Sequence, residues 1–183
     1  SYSVTGVQTC ALPISVPYCV DVADINGDGY KDIVCGIYDY NGPPPQQSGQ
    51  SLLAFIYNPG TGVYDEGVVG ETIPSFSDRV NDLVLADVDG DNWVDLVCGI
   101  MAPSGSAGVR VFINTQDATT PFVNGALYFS TLQVSAIAVG DLDGDPYLDV
   151  AVATCAQLNV GVKVLQGTSQ GFEIGRASCR ERV

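Results

Sequence analysis

The chain has no histidine, and its 7 Lys and Arg stand against 21 Asp and Glu, a formal charge of −14 over 183 residues. Without histidine, neither a His-based catalytic triad nor a His-ligated zinc site can be assembled from this segment. So few cations argue against a nucleic-acid partner, because affinity for a phosphate backbone comes from Lys and Arg neutralising phosphates. No apolar run approaches the roughly 18 to 20 residues of a membrane-spanning helix. The six cysteines include no CxxC pair, which leaves zinc-ribbon and thioredoxin-like chemistry without support. The sole methionine, Met101, is internal. No start is therefore visible, and a missing signal peptide carries no information about secretion.

Acidic residues are what the chain has in excess, and they are not scattered. Between two apolar runs lies Asp24–Asp32, DINGDGYKD. The same pattern returns as DVDGDNWVD from Asp87 to Asp95 and as DLDGDPYLD from Asp141 to Asp149. Oxygen-bearing side chains occupy the first, third, fifth and ninth places each time. These are Asp24, Asn26, Asp28 and Asp32; then Asp87, Asp89, Asp91 and Asp95; then Asp141, Asp143, Asp145 and Asp149. Like charges about 5 Å apart repel by roughly 3 kcal/mol per pair at an effective dielectric of 20. A solvated turn needs one or two such residues and does not fix four of them three times over. A hard divalent cation does need them, since Ca²⁺ takes six to eight oxygen ligands from carboxylates, amides, carbonyls and water. Ca²⁺ is thus the expected metal, ahead of Mg²⁺. The seventh residues, Tyr30, Trp93 and Tyr147, are expected to add backbone carbonyls.

Period-two apolar alternation precedes each loop (Cys19–Ala23, Leu83–Ala86, Ile137–Val139), and short branched runs follow (Ile33–Val34, Leu96–Val97, Val150–Val152). Both read as strands. Further strands are expected at Ser51–Asn58, Gly108–Asn114 and Val160–Gln166, then beyond the turns at Asn58–Val63 and Gly167–Phe172, with Ala126–Gln133 in that last place in the second unit. Helical periodicity is absent. The loops begin 63 and then 54 residues apart, and four strands per roughly 50 to 60 residues fits a β-propeller blade. The uneven spacing has its source in the proline-bearing insertion Asn41–Gln50, expected to be a surface loop because its prolines cannot join a central strand.

The pattern of two apolar residues, Asp-x-[Asp/Asn]-Gly-Asp-x-x-x-Asp and two further apolar residues resembles the FG-GAP and VCBS repeats of integrin-α-like propellers. Val97–Pro103 (VCGIMAP) loosely echoes the Gly-Ala-Pro element of those repeats, whereas a Phe-Gly element is not clear. The resemblance covers nearly all of Val16–Phe172. It implies Ca²⁺ held by the loops between blade strands, and about two and a half four-stranded blades of a ring that usually has seven, the remaining blades lying elsewhere in the same chain. An EF-hand is excluded, because the twelfth places are Cys35, Cys98 and Val152 rather than carboxylates and the flanks are strands.

The expected organisation is an all-β partial propeller with blade repeats at 15–78, 79–133 and 134–172, the last incomplete. Residues 1–14 and 173–183 stand outside it. VTGVQTCALPI (Val4–Ile14) and EIGRASCRERV (Glu173–Val183) resemble frame translations of two opposite sequencing-library adapters. Of the four other cysteines, Cys35 and Cys98 sit where the third copy has Val152, as buried small hydrophobes would. Cys19 and Cys35 flank one loop and offer an alternative, a disulfide across the hairpin.

The preferred function is an extracellular or cell-surface propeller that binds a protein or glycan, with Ca²⁺ as scaffold. The alternative is the propeller of a secreted polysaccharide-active enzyme. No catalytic residue is assigned, because the clustered aspartates already have a metal role and Asp39, Asp65, Glu66, Glu71, Asp78 and Asp117 form no motif. Among the loops, calcium affinity is expected to fall in the order second, first, third, since Pro146 forbids a left-handed residue at the sixth place.

Overall fold

The computed structural model describes residues 15–39, 51–67, 79–102, 107–117, 121–122, 125–155 and 161–175. The insertion 41–50, the whole of 1–14 and residues 176–183 of the C-terminal stretch fall outside these residues.

Twelve strands and no helix make up the described chain. The first unit holds β1 (Ser15–Ala23), β2 (Asp32–Asp39), β3 (Leu52–Asn58) and β4 (Val63–Gly67), each antiparallel to its sequence neighbour. The second repeats that meander with β5 (Arg79–Ala86), β6 (Asp95–Met101), β7 (Gly108–Phe112) and β8 (Ala126–Tyr128). The third has β9 (Val134–Gly140), β10 (Asp149–Thr154), β11 (Gly161–Thr168) and β12 (Gly171–Ile174). One pairing, Tyr38 with Arg79, joins the first sheet to the second. Three four-stranded antiparallel sheets in sequence order are blades of a partial β-propeller.

The elements differ in extent from the sequence expectation. The strands flanking each loop are longer, because backbone pairing continues past the apolar alternation into residues such as Ser15 and Asp39. By contrast β8 stops at Tyr128, where Phe129 takes a φ of 52° and turns the chain. The third blade carries a fourth strand, with Glu173 and Ile174 paired to Gln166 and Leu165. Pairing of this kind asks only for an N–H and a C=O, so it accepts residues of any origin.

Two apolar cores lie between the blades. In the first, Ala23, Val34, Leu52 and Ala54 of blade 1 meet Val80, Leu83, Leu96, Cys98 and Phe112 of blade 2. In the second, Val97, Val109 and Val111 of blade 2 meet Val134, Ile137, Val150, Val152 and Leu165. Close approach is allowed by one glycine per interface. A Cβ on Gly36 would sit 2.7 Å from Val80 Cγ1, and one on Gly99 would sit 2.6 Å from Val134 Cγ1.

None of the described cysteines, Cys19, Cys35, Cys98 and Cys155, is in a disulfide. Cys19 lies opposite Gly36 and Cys35 opposite Val20, so the two project from opposite faces of the hairpin and no disulfide joins them. Cys98 is fully buried in the first core, as its equivalence with Val152 implied.

Candidate metal centre

Each acidic loop links the first two strands of its blade. The fourth residue is Gly27, Gly90 or Gly144, with φ of 74°, 81° and 89°, a left-handed conformation that favours glycine. The turn aims successive backbone N–H groups at the first carboxylate. Asp24 accepts from the N–H of Gly27, Asp28 and Gly29 at 2.7, 3.2 and 2.8 Å. Asp87 accepts from Gly90 and Asn92 at 2.7 and 2.8 Å. Asp141 accepts from Asp143 and Gly144 at 3.2 and 2.6 Å. Fifth-place Asp28, Asp91 and Asp145 each receive the seventh residue's N–H at 2.8 Å. Backbone donors therefore supply part of what stabilises these clustered charges.

The ninth aspartate has a role of its own. Asp32, Asp95 and Asp149 are 0, 0 and 1 % exposed. One oxygen of each accepts the N–H of the loop's second residue, Ile25, Val88 or Leu142, at 3.1, 2.8 and 2.8 Å. The other accepts an N–H from the end of the blade's third strand or just beyond it: Tyr57, Asn114 and Gly167, at 2.9, 2.8 and 2.9 Å. A buried carboxylate thus clamps the loop to a strand 18 to 25 residues away. Burial pushes the Asp95 carboxyl up to about 6, against the N–H bonds from Asn114 and Val88, with Asp89 and Asp91 adding to the rise. Asp32 is raised by burial in the same way, and so is Asp89.

Oxygens of Asp87, Asp89 and Asp95 all lie within 4.8 Å of one another, as do those of Asp141, Asp143 and Asp149. First, third and ninth places thus converge in loops two and three, a donor set suited to a hard divalent cation. Asp91 and Asp145 stand outside these groups. In the first loop Asn26 replaces the third-place carboxylate, and its amide donates to Asp28 at 3.2 Å. Proline at position 146 takes no positive φ and has no N–H for Asp141, yet the three carboxylates still converge.

The seventh residues diverge. Trp93 lies over the neighbouring loop: a Cβ on Gly27 would be 2.5 Å from its ring. Tyr30 packs tilted on Tyr57 with centroids 5.2 Å apart, and Tyr57 meets Tyr64 edge to face at 5.3 Å. Tyr147 is half-buried.

Three groups escaped the sequence reading. Asn114, 5 % exposed, donates its side-chain amide to the carbonyls of Ile25 and Val94, both at 2.9 Å, tying loop one to loop two. Asp21 accepts the N–H of Leu85 at 2.9 Å, and Asp82 that of Ile137 at 2.8 Å, so β5 and β9 are each tied to the first strand of the blade before. The one available signal was an aspartate interrupting an otherwise apolar strand.

Comparison with known proteins identifies the repeat. The FG-GAP-like repeat profile fits residues 24–98 and 87–152, each match opening on an acidic loop. The chain belongs to the FG-GAP-like repeat family. Integrin alpha-V of Gallus gallus is 29% identical to it over 147 residues, 74% of this chain. The chain spans 13% of the length of that relative, so it corresponds to a part of an integrin-like propeller. The acidic loops of this FG-GAP chain fit divalent-cation binding.

Proposed function

We propose that this chain is part of an extracellular, calcium-stabilised propeller that binds a protein ligand at the cell surface. The convergence of Asp87, Asp89 and Asp95 within 4.8 Å carries the metal assignment. The ligand set extends to Asp91 and the Trp93 carbonyl, with Asp141, Asp143, Asp145, Tyr147 and Asp149 in the third loop. In the first it comprises Asp24, Asn26, Asp28, Tyr30 and Asp32. Ca²⁺ suits the all-oxygen donors and the flexible coordination number they permit. When bound it neutralises the carboxylates and fixes each loop against its blade. The proposed blade limits are 15–78, 79–133 and 134–172, with adapter-derived residues outside them.

Similarity to integrin alpha-V supports a protein ligand and a surface location. A glycan bound through the blade-connecting loops is the second candidate.

Terbium luminescence gives the direct test of the metal, because Tyr30, Trp93 and Tyr147 lie within the loops and act as sensitisers. Sensitised emission that Ca²⁺ displaces is expected. At a hundredfold excess over Kd, Ca²⁺ should stabilise the fold by about 2.7 kcal/mol per site. Melting unchanged between Ca²⁺ and chelator, with no terbium emission, would overturn the metal assignment. Attachment to a matrix protein or glycan surface, lost on chelation, tests the ligand separately.

A further inference from the structure

Loops one and two are wired together by a residue that belongs to neither. Asn114 stands just beyond β7, and every polar atom of its side chain is engaged. Its amide hydrogens go to the carbonyls of Ile25 and Val94, both at 2.9 Å, and its Oδ1 accepts the N–H of Gln116 at 2.8 Å. With both amide donors and the acceptor used, only one orientation of the amide serves. The backbone N–H of Asn114 donates to Asp95 at 2.8 Å, and that of Ile25 donates to Asp32 at 3.1 Å. A contiguous path therefore runs from the ninth aspartate of loop two, through Asn114 and Ile25, to the ninth aspartate of loop one. All four residues are buried. Trp93 adds a second contact, its ring lying over Gly27.

Neither feature recurs at the next joint. Gly167 gives its N–H to Asp149 as Asn114 does to Asp95, but it has no side chain to reach back, and a Cβ there would collide with the Leu148 carbonyl. A Cβ on Gly90 would meet nothing within 4 Å, so Tyr147 does not cover loop two as Trp93 covers loop one.

We propose, on the divalent-cation reading of these loops, that Asn114 is a positioning residue that makes the sites of loops one and two a coupled pair, while loop three binds independently. Asp95 is one of the three carboxylates that converge in loop two. A cation there fixes Asp95, and with it the Asn114 backbone and amide. Ile25 is then held before loop one fills, so the cation entering loop one has less ordering to supply. Charge alone gives the opposite sign, because a filled loop two is less negative than an empty one and attracts a neighbouring cation less.

The N–H groups of Gly27, Gly90 and Gly144, which donate to Asp24, Asp87 and Asp141, provide one reporter per loop. Ca²⁺ titration of the ¹⁵N-labelled 183-residue chain is followed at these three resonances. Asp89→Ala removes one convergent carboxylate from loop two and leaves Asp95 in place. It is expected to weaken binding read at Gly27 by about fivefold or more, with Gly144 unchanged. Asp28→Ala in loop one should weaken binding read at Gly90, because coupled affinities are reciprocal. In an Asn114→Ala background, Asp89→Ala should no longer alter the Gly27 titration, whereas an amide with a merely structural role would leave the coupling intact. Should Asn114→Ala not fold, the two loop variants still decide the sign. Binding at Gly27 unchanged or tightened by Asp89→Ala, an equal loss at Gly144, or coupling that survives Asn114→Ala would overturn the proposal and leave the metal assignment standing. No Ca²⁺-dependent shift at any of the three glycines would overturn both.

Discussion

Asn114 donates its backbone N–H to Asp95 at 2.8 Å, and its side chain holds the carbonyls of both Ile25 and Val94. One buried amide thus joins the ninth position of loop two, the end of its blade's third strand and the loop of the preceding blade. Replacing Asn114 with alanine keeps the first bond and orphans two carbonyls. At roughly 1 to 3 kcal/mol per unsatisfied buried group, the loss should be about 2 to 4 kcal/mol once relaxation is allowed for. Urea unfolding at fixed Ca²⁺ measures it, and a loss under half a kilocalorie would show the amide is dispensable.

The metal-free chain should lose stability as pH rises. Asp95 has its folded pKa raised from 3.8 to about 6, so its contribution is fully present below about 4 and disappears through about 6. Asp32 and Asp89 shift in the same direction. A cation favours the ionised form and should flatten or reverse the trend. Thermal melts in chelator across this window, repeated with Asp95→Asn, check the sign: the variant's profile should be flatter than the parent's.

Loops two and three are expected to bind Ca²⁺ more tightly than loop one, because each brings three carboxylates together and loop one has Asn26 in the third place. Pro146 does not prevent convergence, so on ligand charge the third loop is expected ahead of the first, whereas the turn by itself suggests the reverse. Asn26→Asp should strengthen the first site. Calorimetric titration of that variant, beside Asp87→Ala and Asp141→Ala, ranks the three; unchanged binding in Asn26→Asp would count against ligand charge as the cause.

Trimming separates the tail into two parts. Ending the chain after Gly175 should leave the melting temperature nearly unchanged. Ending it after Phe172 removes the pairings of Glu173 and Ile174 and the 3.0 Å bond from Gly175 N–H to the Val164 carbonyl. At about 1 kcal/mol per hydrogen bond, a loss of roughly 1 to 3 kcal/mol is expected. Equal melting of the two truncations would show that the last two strand residues add nothing.

Gly99→Ala should loosen the second blade interface. The new methyl would meet Val134 at 2.6 Å and Ile137 at 3.2 Å. Overpacking of this kind costs typically 1 to 3 kcal/mol. Hydrogen exchange should rise in Val134–Gly140 more than in Ser15–Ala23; a uniform rise would point to global weakening instead.

The acidic loops, the strands beside them and the blade repeat were legible in the sequence because their causes are local. Alternation sets a strand, glycine at the fourth place sets the turn, and side chains two residues apart fall on one side of it. The partners of the ninth aspartates were not legible. Asp32, Asp95 and Asp149 look like further ligands in the sequence, and only the fold brings them an N–H from 18 to 25 residues on. Cys19 and Cys35 show the same limit, since the register running from Ala23 opposite Asp32 puts Cys19 opposite Gly36, one place away from Cys35. Asn114, Asp21 and Asp82 act across blades, through backbone groups that any residue carries, so the sequence shows at most an aspartate within an apolar strand and not the partner it finds. Local sequence determined what each blade is, and tertiary structure decided how a buried carboxylate, one amide and two glycines hold one blade to the next, because those contacts depend on distances the chain acquires only when the blades pack.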